Sequence, residues 1–271
     1  MTLRGRILFL SAAWLVVLMP FMFWRGPWFG RPLSEQQIAN YLQERDPRRV
    51  NDALVQIGQR MGRRDPTVMT WYPDLLALAK SPSEQVRATD AWAMGQDPTR
   101  PEFRTELSQM LRDRSPAVRA AAALALVRFD DASGHDEIVA LLRPMTMHAP
   151  AAGQVVEVAK PGSSLRRFAT VAKIEAGDDQ VEVRAPWECR VVSASITRGQ
   201  QVTAGAEVAT LQPAADTVYE ALRALQVIGR LEDLAAIAPY VHRSPDVPER
   251  VRQQAERTGR AIRASGDRVI R

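Results

Sequence analysis

A helical pattern that contains the triplet Val-Arg-Ala occurs twice, with an offset of 32 residues. Residues 81–94 read SPSEQVRATDAWAM, and residues 115–126 read SPAVRAAAALAL. A serine before a proline is typical of the first turn of a helix, and the apolar residues that follow keep the spacing of one helical face. A looser copy covers residues 46–57. The pattern predicts pairs of helices, each of which buries its apolar face only against the next pair.

The segment VRAAAALAL (residues 118–126) resembles HEAT repeats, in the short-period form that bilin-lyase-like proteins also have. The resemblance implies a helical solenoid over residues 31–145, and such solenoids mostly bind other proteins. Large aromatic side chains inside a repeat usually belong to its core. We therefore expect Trp71, Trp92 and Phe129 to be core residues.

Helical spacing returns after residue 213. The segment TVYEALRALQVIGRLEDLAAIAPYV (217–241) again places apolar residues on one helical face, and the pair Val251-Arg252 follows another Ser-Pro. We predict further HEAT-like helices over residues 214–265. The predicted helix at 135–143 has no immediate partner, and the helix that begins near 217 would serve as one. The segment between them is therefore predicted to be inserted into the solenoid.

The inserted segment, residues 146–213, has a different pattern. It is rich in Val, Gly, Pro and Thr in short alternating runs, which is typical of strands. It also repeats internally: APAAGQVVEV (149–158) aligns with APWECRVVSA (185–194) at an offset of 36, and residues 162–171 align with 199–208 at an offset of 37. Two related halves predict a compact, pseudo-twofold β-sandwich.

This segment resembles the barrel-sandwich hybrid of lipoyl and biotinyl carrier domains, which also occurs in membrane-fusion adaptor proteins. In such a carrier the modified lysine follows a glutamate by three residues. Here that glutamate is Glu175, and Asp178 stands in the place of the lysine. A carboxylate supplies no amine for amide attachment. Gly177, Asp178 and Asp179 are therefore predicted to be a degenerate carrier hairpin in the form of a plain tight turn.

Two further residues depart from the carrier pattern, and the one lysine near the hairpin is not placed to carry a group. Lys173 lies in a predicted strand, five residues before the hairpin tip, and cannot replace the modified lysine. Cys189 stands at the second-half equivalent of Gly153, and Phe168 stands at the first-half equivalent of Gly205. No covalent or bound cofactor is expected.

The N-terminal region, residues 1–30, contains eighteen uncharged residues in succession, ILFLSAAWLVVLMPFMFW (7–24). As a helix this stretch would be about 27 Å long, enough to cross the hydrocarbon core of a bilayer. Bulky aromatic residues follow it instead of a small-residue cleavage site, which favours a retained anchor over a cleaved signal peptide. The residues assigned to the anchor are Ile7, Leu8, Phe9, Leu10, Trp14, Leu15, Val16, Val17, Leu18, Phe21, Phe23 and Trp24.

The charges beside this stretch predict its orientation. Arg4 and Arg6 precede it, and Arg25 and Arg31 follow it. Together with the α-amine, they tilt the positive-inside rule towards a cytoplasmic N-terminus. We expect a single-pass protein of the inner membrane with most of the chain in the periplasm.

The residue types and motifs that carry chemistry are sparse. The chain has a single cysteine, and its three histidines show no spacing of a zinc pair. Nucleophile-elbow, phosphate-loop and metalloprotease motifs are absent from the sequence. We predict no catalytic, cofactor or metal site, and no enzyme. The chain has a net charge of +5, and the part that begins at Arg243 and includes the tail (266–271) is rich in arginine. Because the sequence contains no nucleic-acid reader motif, no nucleic acid is expected as a partner.

The fold is thus predicted to be mainly α: a HEAT-like helical solenoid with an inserted small all-β barrel-sandwich domain and one N-terminal transmembrane helix. The function predicted from these features is that of a non-catalytic, membrane-anchored scaffold or accessory subunit. It would bind integral membrane subunits of a larger assembly (a transporter, or a respiratory or photosynthetic complex) through the transmembrane helix and the repeats. The bilayer is the other expected partner, and no small-molecule substrate is expected.

Two alternatives remain open. The resemblance of the β segment to adaptor proteins implies a periplasmic adaptor of an efflux or ABC-type transporter. Such adaptors usually carry a long coiled-coil hairpin between the two halves, whereas only residues 177–180 join them here. The resemblance of the repeats implies, as a second alternative, a bilin-lyase-like enzyme.

Overall fold

The computed structural model describes residues 32–269, with the side chains of residues 32–265. The described residues belong to two compact units, which divide between Asn40 and Tyr41. In the first unit, Ser34 and Gln37 form a reciprocal cap at the start of helix α1 (Glu35–Leu42): the Gln37 backbone N–H donates to Ser34 Oγ at 3.2 Å, and the Ser34 N–H donates to Gln37 Oε1 at 2.9 Å.

The second unit begins with a layered series of helices. These helices are α2 (Pro47–Gly62), α3 (Tyr72–Leu78), α4 (Glu84–Met94), α5 (Pro101–Met110), α6 (Pro116–Leu126) and α7 (His135–Ala140), with 3₁₀ turns at Pro66–Trp71 and Val127–Phe129. Helices α2, α4 and α6 pack side by side as an inner layer, and α3 and α5 cover them from outside. This part of the chain is a HEAT-like helical region, as predicted.

Most of the predicted helix entries occur, and two are shifted. Asp46 caps α2 through the Arg48 N–H at 3.0 Å, and α6 begins directly after Ser115. Helix α4 begins after Ser83, two residues later than the Ser-Pro pair suggests. Helix α5 begins only after Arg100, and the Asp97 carboxylate accepts hydrogen bonds from Thr99 and from the Tyr72 hydroxyl.

The arginine of the Val-Arg-Ala triplet has a structural role. Arg87 is buried and forms a bidentate pair with Asp113, at 2.7 Å and 2.9 Å, while its remaining nitrogen donates to the Ser81 carbonyl. Arg119, in the next copy, pairs with Glu137 at 2.7 Å and donates to the Asp113 carbonyl. Each arginine therefore joins its own helix to an acidic residue further along the chain: Asp113 lies just before α6, and Glu137 lies in α7.

Asp90, on α4, is buried without a partner. Its side chain is fully shielded from solvent, and neither carboxylate oxygen has a hydrogen-bond partner among the described residues. Burial, together with the negative charge of Glu106, raises the pKa of Asp90 well above its usual range. This carboxyl group therefore destabilises the native state at every pH at which Asp90 is ionised in the unfolded chain.

Residues 145–213 contain eight strands. The strands are β1 (Met145–His148), β2 (Gly153–Val158), β3 (Ser164–Leu165), β4 (Thr170–Ala176), β5 (Asp179–Arg184), β6 (Cys189–Ala194), β7 (Gln201–Val202) and β8 (Glu207–Pro213). They form two antiparallel four-stranded sheets, in the orders β1-β8-β6-β3 and β5-β4-β2-β7. Exchanging β1–β4 with β5–β8 converts one order into the other. The two halves are thus related as the internal repeat predicts, in an open pair of sheets and not in a closed barrel.

Helices resume after the strands. They are α8 (Ala215–Ile228), α9 (Leu234–Ile237) and α10 (Glu249–Val269), with 3₁₀ turns at Leu231–Asp233 and Ala238–Tyr240. The Val-Arg pair does not keep its role here, because Arg252 pairs with Glu249 and Glu256 of its own helix.

The helices on the two sides of the strands are in contact. Helix α7 packs against α8. His135 Nε2 lies 2.8 Å from Asp233 Oδ2, with both side chains buried, and the Tyr240 hydroxyl donates to the Leu142 carbonyl at 2.7 Å. The β module is therefore inserted between two helices that pack together.

The predicted membrane anchor at residues 7–24 lies outside the described residues. Within residues 32–269, no helix combines the length and the apolar character needed to cross a bilayer.

Replacing Asp90 with Ala is expected to raise the free energy of unfolding at pH 7 by about 1–3 kcal/mol, because the change removes an unpartnered buried carboxyl group. The gain over wild type should grow as the pH rises from acid, since the raised native pKa costs the wild type stability only when the unfolded chain is ionised. Urea unfolding at several pH values measures both effects. The matched control, Asp113→Ala, breaks the Arg87 pair and should lose about 2–4 kcal/mol.

The contact of His135 predicts a second pH dependence. Burial lowers the pKa of His135, but the hydrogen bonds to Asp233 and Asp136 outweigh burial and leave the pKa raised. The protonated ring therefore stabilises the native state below about pH 6.5, and this contribution is lost as the pH rises through the native pKa. His135→Gln should be less stable than wild type by about 1–2 kcal/mol near pH 6, with a smaller difference at pH 8.5. An equal difference at both pH values would contradict this assignment, and the exposed His148→Gln serves as control.

Candidate partner-binding cleft

An open cleft of about 1110 Å³ lies between the inner helices and the β module. Its walls are one side each of α4, α6 and α8 and two loops of the β module, residues 166–168 and 186–188. We call this space the cleft. Its size is that of a site for a small ligand or for a segment of another chain.

Three helices contribute residues at a regular spacing. Among the lining positions of each helix, four follow i, i+4, i+7 and i+11, which is one face of an α-helix. On α4 and its C-terminal turn they are Gln85, Thr89, Trp92 and Gln96; on α6 and the turn after it, Ala117, Ala121, Leu124 and Arg128; on α8, Asp216, Glu220, Arg223 and Val227. The first two sets differ by 32 residues at every position, the offset of the sequence repeat.

Trp92 is the most prominent apolar residue of this face. Its ring lies against Gly58 of α2, where an added Cβ would come within 2.5 Å of the ring. The side chain is 39% exposed, so the prediction of a core role for Trp92 is wrong. Trp71 is buried at 4% exposure, as predicted, and Phe129 is only partly buried. Helical spacing placed Trp92 on an apolar-looking face, but that face is the open inner side of the layer.

The loop of residues 166–168 supplies an unusual side-chain arrangement. Phe168 has a φ of +65°, in the left-handed region that residues with a Cβ seldom adopt. Its backbone N–H donates to the Ala185 carbonyl at 2.7 Å, which ties this loop to the neighbouring one. The Arg167 guanidinium lies over the Phe168 ring, 5.5 Å from its centre.

The cleft contains charges of both signs. Arg128, Arg166, Arg167 and Arg223 line it, as do Asp130, Glu188, Asp216 and Glu220. Of the carboxylates, Asp216 pairs with Arg250. Surrounding protein atoms lower the pKa of Arg167 by desolvation, although the side chain keeps contact with solvent. Arg167 is thus a partly desolvated cation.

Two polar groups in the cleft wall are buried without a hydrogen-bond partner among the described residues. They are the Asn51 amide and the indole N–H of Trp187. Such groups are rare in native proteins, because each costs the free energy of its lost hydration. Each of these two groups therefore lowers the stability of the native fold, and both belong to residues that line the cleft.

The residues singled out in the carrier-like hairpin lie elsewhere. Gly177 and Asp178 form the two-residue turn between β4 and β5, Gly177 with a φ of +67°, and Asp179 begins β5. All three are exposed, and none lines the cleft. Lys173 lies within β4, between Glu157 and Glu182, at 3.5 Å and 3.7 Å.

Cys189 is unsuited to nucleophilic chemistry. It is buried in the β module, and burial together with Glu188 raises the pKa of its thiol to about 11. At neutral pH the thiolate, which is the reactive form, is therefore scarce.

A smaller cavity of about 510 Å³ contains the His135–Asp233 pair. Both ring nitrogens of His135 are engaged, Nε2 by Asp233 and Nδ1 by Asp136 at 3.0 Å, so the ring has no free nitrogen to serve as a base. In the part of the chain that the structure describes, no group of three or more His, Cys, Asp or Glu side chains is placed to hold a metal ion.

Comparison with known proteins supports the helical assignment. The family of HEAT repeats matches residues 72–151, which is less than half of the chain. Among curated proteins, no significant relative was found. A solved structure of a single-chain, multi-domain long-chain acyl-CoA carboxylase is similar at 23% identity, over 45% of this chain and 14% of that chain, with a TM-score of 0.26. A TM-score this low supports no inference about fold.

No motif in the sequence predicts the cleft residues as a site. A signal for them exists in the offset of 32, which aligns Trp92 with Leu124 and Gln96 with Arg128, and in the differences between the two β halves. Neither signal tells which face of a helix stays open, since that depends on what packs beside it.

Trp92→Ala is expected to cost only about 1–2 kcal/mol of unfolding free energy, because much of the ring is already in solvent. Trp71→Ala, the matched control, should cost about 3–5 kcal/mol, because it empties a buried site. Urea denaturation monitored by circular dichroism gives both values. Equal losses in the two variants would show that Trp92 belongs to the core.

Proposed function

We propose that this protein is a non-catalytic, membrane-anchored scaffold that binds other subunits of an inner-membrane assembly. The anchor would be residues 7–24, with the bulk of the chain in the periplasm. The assembly would be a transporter, or a respiratory or photosynthetic complex. The helical repeats would make the contacts with the partner protein.

One observation carries this proposal: the open inner face of the repeats. Trp92 lies there on a glycine, 39% exposed, and Val227, on the α8 wall of the cleft, is 63% exposed. Exposed aromatic side chains and arginines, grouped in one concavity, are enriched in protein–protein interfaces. HEAT-like repeats in general present such a face as an extended binding surface.

The β module has a supporting part in the proposal. We infer that it is a lipoyl- or biotinyl-like barrel-sandwich domain without a modifiable lysine. Its two interchangeable sheets and the short hairpin between its halves favour this interpretation. Asp178 stands at the hairpin tip, so the module would act through its shape and its loops and not through a carried group.

The efflux-adaptor alternative draws on the same module. An adaptor that reaches an outer-membrane channel needs a long helical hairpin between the halves. The turn of Gly177 and Asp178 joins β4 directly to β5 and leaves no room for one. The scaffold proposal is therefore favoured over this alternative.

The proposal is tested by purification from native membranes. The tagged full-length chain, extracted in mild detergent, is expected to elute with one or more integral membrane proteins in constant ratio. Deletion of residues 1–31 should release the chain from the membrane fraction, because it removes the proposed anchor. Size-exclusion chromatography with mass spectrometry measures the first result, and carbonate extraction measures the second.

The controls separate the anchor from the repeat face. Trp92→Ala should stay in the membrane fraction and lose the partners, whereas substitution of the exposed Val192 on the β module should lose neither. A lone monomer that elutes with nothing bound would overturn the scaffold proposal. A wild-type chain extracted by carbonate would overturn the anchor.

A further inference from the structure

The two halves of the β module provide an internal comparison. In the first half, the Phe168 N–H donates to the Ala185 carbonyl at 2.7 Å. In the second half, the Gly205 N–H donates to the Ala149 carbonyl at 2.8 Å in the same way. Phe168 and Gly205 are also alike in φ, +65° and +82°. The module thus has two corners with one backbone design.

The side chains of the two corners differ. We call residues 166–168 with 186–188 the cleft corner, and residues 203–205 with 150–152 the outer corner. Arg-Arg-Phe in the cleft corner corresponds to Thr-Ala-Gly in the outer corner, and Trp-Glu corresponds to Ala-Ala. All the cleft-corner residues line the cleft, and none of the outer-corner residues does. Of the two corners, only the one that faces the cleft therefore has large and charged side chains.

The backbone does not explain Phe168. A left-handed conformation is unfavourable for a residue with a Cβ and is easily adopted by glycine. The outer corner makes the same turn with Gly205 and the same hydrogen bond. Since glycine satisfies the turn, the phenylalanine is a strained choice whose side chain faces the cleft, and strain of this kind is typical of functional sites.

Arg166 and Arg167 directly precede Phe168 in the same loop. Among the described residues, no carboxylate forms an ion pair with Arg166 or Arg167, and only desolvation acts on the pKa of Arg167. A cation that has lost part of its hydration gains most from an added carboxylate, with which arginine can form two parallel hydrogen bonds.

We infer that the cleft corner recognises an acidic segment of a partner protein, with a carboxylate on Arg166 and Arg167 and an apolar side chain against Phe168. This inference rests on the proposed scaffold function and names the chemistry of the partner. The cleft also contains Glu188 and Glu220, which repel the continuous negative charge of a nucleic acid or an anionic membrane. A polypeptide can present a carboxylate to the arginines and a basic or neutral group to these acids.

A peptide library tests the inference. The purified full-length chain in mild detergent is used to select from random 12-residue peptides displayed on phage. The selected peptides should be rich in Asp and Glu beside an aromatic or branched apolar residue. A synthetic copy of the most enriched peptide then gives a Kd by fluorescence anisotropy, and replacing its acidic residues with Asn or Gln should weaken binding about tenfold or more.

The decisive variant is Arg166→Thr, Arg167→Ala and Phe168→Gly, which gives residues 166–168 the side chains of residues 203–205. It should fold, because the outer corner shows that these residues support the same backbone. We expect its Kd for the selected peptide to rise about tenfold to a hundredfold. Adding Thr203→Arg and Ala204→Arg to this variant restores the net charge at the outer corner and should not restore binding.

Several outcomes would overturn the inference: no selected peptide, selected peptides without acidic residues, an unchanged Kd in the variant, or recovery on moving the charges to the outer corner. Preferential binding to anionic vesicles over the peptide would do so as well. The proposed scaffold function is judged separately, by native purification. If the variant keeps all its membrane partners, the inference about the cleft corner is wrong and the proposed scaffold function is unaffected. If the peptide binds but the wild-type chain has no membrane partner, the scaffold function is wrong and the inference about the cleft corner is unaffected.

Discussion

The arrangement of the second unit depends on the contact between His135 and Asp233. The two side chains are 98 positions apart in sequence and 2.8 Å apart in space, and both are buried. They join the last helix before the strands to the first turn after α8, so that the inner layer of helices continues past the β module. The cleft exists because of this continuity: α8 forms one wall, α4 and α6 form another, and loops of the inserted module close the third side.

Small residues determine how closely the helices approach and which face stays open. A Cβ on Gly95 would come within 2.8 Å of Ala125, and one on Gly134 within 2.6 Å of Ala123, so both glycines allow close backbone packing. The alanines of α6 are almost fully buried by these contacts. Gly58 is different, because its neighbour is the ring of Trp92. There, the missing side chain provides a flat support for an aromatic ring that is still reached by solvent.

The sequence predicts the regular parts of this fold well, because they follow from periodicity. The offset of 32 gives the register of α4 on α6, and the offsets of 36 and 37 give the exchange of β1–β4 with β5–β8. It fails where a residue has two possible partners. Asp97 precedes a proline, as the helix-capping Asp46 does, yet its carboxylate also accepts from the Tyr72 hydroxyl, and helix α5 begins only after Arg100. Arg252 repeats the Val-Arg pair, yet it forms ion pairs with Glu249 and Glu256 of its own helix.

The candidate site was not predictable in this way, because it combines three helix faces with two loops from a module of another fold class. Its residues are recognised only by comparison within the structure. Trp92 is more exposed than Trp71, and the cleft corner has larger and more charged side chains than the outer corner. In a carrier domain the chemistry is concentrated at the hairpin tip, where this chain has the exposed turn of Gly177 and Asp178. The two corners of the β module differ instead at residues 166–168 and 187–188, in loops that line the cleft beside the helical layer. A module with two equivalent corners can change one of them freely as long as the other backbone hydrogen bonds persist, so specificity at the cleft corner need not compromise the stability of the sheets.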